Sequence, residues 1–99
     1  MNLQILNNQG IFEIHGDFIQ AHAYIARTYF NDLLDNYYEI VICLKNVDKI
    51  DNSGLDVMRY IVNKGRKRSK MVFVLGDKNI INVFKKANLS NIFKNDYTC

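Results

Sequence analysis

"YEIVICLKNVDKIDNSGLDVMRYIV", residues 38–62, decides how this chain is read. Its first part, "EIVICL", is apolar without alternation, the pattern of a strand covered on both faces. From Ser53 to Asn63 the period changes: Leu55, Met58, Ile61 and Val62 recur at helical spacing. A buried strand therefore runs through a short polar loop into a helix. At the junction stand Asp51, Asn52, Ser53 and Gly54.

The same two periods alternate along the rest of the chain. "LQIL" and "IFEIHG" flank an Asn/Gly turn and read as a hairpin, with His15 at the end of the second strand. From Ile19 to Tyr37 apolar residues fall on one helical face, and Arg27, Asn31, Asp32 and Asp35 on the other. Gly65 is placed as the stop of the second helix. "KMVFVLG" is another buried strand, and "NIINVFKKANLSNIF" a third helix. The order is β-β-α-β-α-β-α. Two buried strands joined by one helix make a right-handed crossover, so Ile40–Leu44 and Met71–Leu75 are expected as adjacent parallel strands. The fold class is α/β: a mostly parallel, four- to five-stranded sheet with an antiparallel N-terminal edge, packed by three helices.

Ninety-nine residues, 48% hydrophobic and 23% charged, are enough for one self-sufficient core and too apolar for a disordered chain. No apolar run approaches the roughly 20 residues of a membrane span. The N-terminus lacks the basic start and apolar core of a signal peptide, so the expected location is the cytoplasm. Cys43 and Cys99 have neither metal-ligand nor redox spacing, and Cys43 reads as a small buried apolar residue. The net charge of +3 is uneven: Arg59, Lys64, Arg66, Lys67, Arg68 and Lys70 fall within twelve residues. With no aromatic interleaved in "KGRKRSK", this cluster is read as a solvated helix end before a nucleic-acid surface.

Catalytic and cofactor patterns are missing. There is no G-x-G-x-x-G after a strand, no Walker lysine loop and no nucleophile elbow. His15 and His22 have no cysteine or paired carboxylates at ligand spacing, so no metal is expected. Neither Glu13 nor Glu39 stands beside another ionisable group in a motif. The chain is read as no enzyme and as needing no cofactor. What remains is the start of the second helix, where α/β sheets place their sites and where free amides favour an anion. Two readings of Ser53 stay open. Ser53-Gly54-Leu55-Asp56 has the form of a capping box, which makes Ser53 a cap contributing about 1 kcal/mol. An exposed hydroxyl beside Gly54, two residues after Asp51, also makes a kinase substrate loop. Motif physics alone favours the cap.

These residues resemble a family. "VDKIDNSGLDVM", preceded by "YEIVICLKN", is similar to the signature of the STAS domain of bacterial anti-anti-sigma factors, in which a buried strand and short loop lead to Asp-Ser-Ser-Gly-Leu at a helix start. "IFEIHGDF", "GRKRSKMVFVLG" and "INVFKKANLSNIF" extend the resemblance over nearly the whole chain, as a single domain of residues 1–99. It implies a protein-binding regulator of transcription. The unphosphorylated form binds an anti-sigma factor that is also a serine kinase, phosphorylation ends that binding, and a phosphatase restores it. Ser53 falls at the phosphorylated position. Asp51, Asn52, Ser53, Gly54, Leu55, Asp56 and Arg59 are the implied partner-binding residues. Asn52 replaces the first serine of the pattern, leaving one acceptor. Asp56 stands where the family has a small residue and would repel a phosphate on Ser53. Members usually carry one more helix after the position of Cys99, and a sheet left uncovered there finds a partner or a homodimer mate. A STAS subunit docked permanently on a larger assembly, such as a transporter's ATPase, is the alternative. A nucleic-acid binder using Lys64 to Lys70 is the third reading.

Overall fold

The computed structural model describes residues 2–93. It opens with the hairpin: β1 (Gln4–Asn8) pairs antiparallel with β2 (Ile11–Phe18), Asn8 opposite Ile11. The two turn residues, Gln9 and Gly10, both take positive φ, 53° and 91°. That turn matches the right-handed twist of the strands it joins. Asn7 Oδ1 accepts from the Gly10 N–H at 2.9 Å and fixes it. Next come α1 (Gln20–Asn36), β3 (Glu39–Cys43), β4 (Val47–Ile50), α2 (Asn52–Lys67), β5 (Met71–Leu75) and α3 (Lys78–Lys86). A 3-10 turn at Ser90–Ile92 follows.

The sheet runs β1-β2-β3-β5, and β3 and β5 are parallel neighbours from Glu39 opposite Met71 to Cys43 opposite Leu75. The expected architecture is present, with one strand more than the element order anticipated. β4 lies in the segment read as a loop and pairs parallel with the far end of β2, Phe18 opposite Ile50. The second strand therefore does not close at its glycine. Gly16 takes φ 96° at a register shift, and β2 continues through Asp17 to Phe18. His15 is thus inside the strand, and its Nε2 lies 2.9 Å from Glu13 Oε1, a neighbour that period-2 spacing puts on the same face.

One face of the sheet carries Phe12, Ile14, Ile40, Ile42 and Val74, all buried. Ala23, Ala26, Phe30 and Leu34 of α1 and Met58, Ile61 and Val62 of α2 complete the core with them. On the opposite face of the strands Ile11, Glu13, His15 and Val41 are half-buried and Met71 is exposed, so among the described residues that face is covered less completely. Cys43 is buried and is not a free thiol. No helix among the described residues is long and apolar enough to cross a membrane. The expectation about a missing last helix falls after Phe93, outside the described residues.

Gly65 does not stop α2. The helix runs on to Lys67, and the left-handed residue at its end is Ser69, φ 56°. Gly65 is buried, and a Cβ there would lie 2.5 Å from Val72 Cγ2. Its place comes from close helix–strand packing. The basic stretch that follows is tied into the fold. Arg68 pairs with Asp35 at 2.7 Å, and Lys70 Nζ donates to the carbonyls of Leu34 and Tyr37, the latter at 3.0 Å. Lys70, expected to be exposed, is half-buried because it satisfies carbonyls that the end of α1 leaves without helical partners.

Candidate functional site

The start of α2 sits at the C-terminal end of β4. Its cap is Asp51, whose Oδ1 accepts from the Gly54 N–H at 3.1 Å. Ser53 is therefore inside the first turn, and the capping box of Ser53 with Asp56 does not form. Asp51 does more than cap. Its other oxygen, Oδ2, accepts at 3.0 Å from the N–H of Gln20, the first residue of α1. One carboxylate thus serves the starts of two helices, and α1 has no side-chain cap of its own. Burial pushes the Asp51 carboxyl up. The amides of Gln20, Gly54 and Ser53 outweigh it and hold the group below its ordinary value of 3.8.

The neighbours of Asp51 divide by position. Asn52 is exposed, Ser53 half-buried, and Gly54 and Leu55 are buried, Leu55 at 7% exposure. Leu55 belongs to the core, whereas Asn52 is at the surface. Gly54 is set by packing. A Cβ there would overlap the Phe18 carbonyl oxygen and lie 2.8 Å from Ile50 Cγ1. The glycine lets the first turn of α2 press on the ends of β2 and β4. Asp56 and Arg59 are exposed on the outer face and pair at 2.9 Å.

The hydroxyl of Ser53 has no hydrogen-bond partner among the described residues: Asp51 is the cap, and the Leu55 N–H that a Ser53 cap would use donates to the Asp51 carbonyl. Ser53 borders a shallow groove of about 270 Å³ between α1 and α2, with Tyr24, Arg27, Asp56, Val57 and Tyr60. The Arg27 guanidinium lies over the Tyr60 ring, 4.2 Å from its centroid. Asn31 Oδ1 accepts from the Tyr60 hydroxyl at 3.3 Å and from Lys64 Nζ at 2.7 Å. Sequence reasoning missed Arg27 and Tyr60 as site residues. Helical periodicity puts each on a polar or mixed face, and only the packing of α1 on α2 brings them together. The two histidines are not gathered here: His22 Nδ1 lies 2.8 Å from the Asp17 carbonyl oxygen, a helix-start contact.

A strand-to-helix junction with an uncovered serine, set on a mixed sheet with an N-terminal hairpin, defines a small α/β domain of the STAS type. The chain belongs to the STAS domain family, whose model matches residues 1–98. Among solved structures it is similar to the anti-sigma factor antagonist SpoIIAA in its unphosphorylated form, with a TM-score of 0.66 over 98% of this chain and 86% of that one. At 11% identity that likeness is one of fold. No curated protein sequence matches the chain.

Proposed function

We propose that the protein is a binding regulator of the anti-anti-sigma type, without enzymatic activity of its own, that acts through the α1–α2 face and is switched by phosphorylation of Ser53. The observation that carries this reading is the division of labour at the start of α2. Asp51 caps the helix, so the Ser53 hydroxyl stands unused at the edge of an open groove. Membership of the STAS family and the fold shared with an anti-sigma factor antagonist support it. The partners in this scheme are an anti-sigma factor acting as serine kinase and a phosphatase.

A phosphate on Ser53 would find the Gly54 amide already taken by Asp51, so it would turn outward into the groove. Asp56 opposes it there. The opposition is limited, because Arg59 pairs with Asp56 and Arg27 stands in the same groove. Two exposed charges about 4 Å apart interact by only about 1 kcal/mol in water. Outward, the dianion lies on the face a partner must desolvate, and that is how it would end binding.

The test is a phosphorylation assay with the cognate anti-sigma kinase, read by mass spectrometry, beside binding titrations. Ser53→Ala should bind as the parent does and take no phosphate. Ser53→Asp should bind at least tenfold more weakly. Equal binding by parent and Ser53→Asp would refute the switch and leave the permanently docked subunit as the better reading. That second reading is favoured by the carboxylate of Asp56, one turn from Ser53.

A further inference from the structure

The groove at Ser53 continues. Beyond Asp56 and Tyr60, which border both parts, it opens into a wider trough of about 480 Å³ along the outer face of α2, flanked by Arg59, Asn63, Lys64 and Lys67. Four cations, Arg27, Arg59, Lys64 and Lys67, line the joined surface against the single carboxylate of Asp56. The net charge of this lining, +3, equals the formal net charge of the whole chain. Lys64 is hydrogen-bonded to the neutral Asn31 and Arg27 lies over the face of Tyr60, so neither is in an ion pair among the described residues, and Asp35 acts on Lys64 only from a distance.

We propose that this trough docks an acidic segment of a partner protein, which names the chemistry of the partner in the regulator reading above and rests on that reading. From Asp56 to Lys67 is eleven helical steps, about 16 Å. That length suits an acidic helix of three turns laid along α2. Run antiparallel to α2, such a helix would bring its N-terminal acidic residues, where carboxylates are favoured, to Lys64 and Lys67. The guanidinium of Arg59, bound to Asp56 through one nitrogen, keeps its other N–H donors for a carboxylate of the segment. A polyphosphate strand fits less well. Its evenly repeated charge would be forced against Asp56 at the end of the trough, whereas a peptide can place a neutral or basic residue there. Nor is Tyr60 open for a base to stack on both faces, since Arg27 covers one. Ser53 lies at the end of this surface. A phosphate there adds about −1.5 to −2 charges, offsets most of the lining charge and expels an acidic segment.

The experiment is an amide chemical-shift titration of the isotope-labelled protein with a blocked alanine–glutamate peptide of about three helical turns. A single-stranded DNA oligonucleotide of equal charge is run in parallel. The peptide should move the amides around Arg27, Arg59, Lys64 and Lys67 and leave those of Lys85 and Lys86, exposed on α3, in place. Arg59→Ser with Lys67→Ser should weaken it about tenfold, the loss of two exposed ion pairs. Shifts spread evenly to Lys85 and Lys86, or none at all, would overturn the proposal. The same outcome follows if the oligonucleotide moves the trough at lower concentration than the peptide, which would make the surface a nucleic-acid site. The titration uses neither the kinase nor any Ser53 variant. Its failure removes the acidic partner and leaves the switch standing, and failure of the switch leaves the peptide map intact.

Discussion

Replacing Gly54 by alanine tests whether the first turn of α2 is held against the sheet as described. In an exposed helix the change would stabilise by about 1 kcal/mol, the difference in helix propensity. Here the new methyl meets the Phe18 carbonyl oxygen, which is backbone, and Ile50 Cγ1 at 2.8 Å. Ordinary contact begins at 3.4 Å, so against Ile50 alone the turn must retreat by about 0.6 Å, and further against Phe18. Phe18 is fully buried and cannot yield without disturbing the core. Overpacking of this kind costs about 1–3 kcal/mol. Retreat would also lengthen the 3.4 Å bond from the Asp51 N–H to the Phe18 carbonyl. The expected loss is about 3 kcal/mol, a change of roughly a hundredfold in the folding equilibrium. Urea unfolding should register it as a midpoint lowered by about 2 M, given the shallow slope of a small domain. Gly65→Ala is the internal comparison. Its methyl meets Val72 Cγ2, a side-chain atom that can rotate aside, and it should cost less than half as much. A Gly54→Ala protein as stable as the parent, or one less affected than Gly65→Ala, would refute the argument that backbone contact fixes this turn.

Asp51→Ala should lose about 2 kcal/mol, because it strips acceptors from two helix starts, whereas Ser53→Ala should stay within about 0.5 kcal/mol; thermal unfolding of both orders the two residues as cap and bystander. Lys70→Ser should destabilise by about 1–2 kcal/mol by freeing the carbonyls of Leu34 and Tyr37, while the exposed Lys67→Ser is neutral, measured by the same denaturation. Stability should fall in acid through Asp51 and Asp35. Both carboxyls are held below 3.8 in the folded state, Asp35 by its hydrogen bond with Arg68. Their contribution is therefore complete above that value and is lost as pH drops through the lower folded values. In urea titrations between neutral pH and pH 3, Asp51→Asn should flatten the acid limb, and an unchanged limb would contradict the assignment.

The sheet was legible because its central strands are unbroken apolar runs. "EIVICL" and "KMVFVLG" admit few other readings once a helical period separates them. β4 was not legible. Four residues with exposed Asp48 and Lys49 in the middle carry neither alternation nor an apolar run. Only the bulge at Gly16, which carries β2 on toward Val47, gives the strand a partner. The start of α2 was half legible. Asp51, Asn52 and Ser53 are all good caps, and sequence alone does not rank three such residues in a row. The ranking comes from Gly54, which must face Phe18, and this places Asp51 one turn back. Gly65 was misassigned as a helix stop and the packing role of Gly54 went unseen, since a close approach between elements leaves no local pattern. Arg27 and Tyr60 meet across two helices 33 positions apart in the chain, a distance no local pattern bridges.

The carboxylate of Asp51 is shared between Gly54 and Gln20, and that sharing makes the beginnings of two helices open and close together. A fluctuation that frees the Gly54 amide also loosens the acid that holds the Gln20 amide, so the two ends form one local unit of exchange. Whatever lands beside Ser53 and tightens the first turn of α2 would then slow amide exchange at Gln20, on a helix it need not touch. α1 carries Tyr24 and Arg27 on the wall of the groove. The far wall of the binding face would thus be firmed by contact with the near one, through a single side chain.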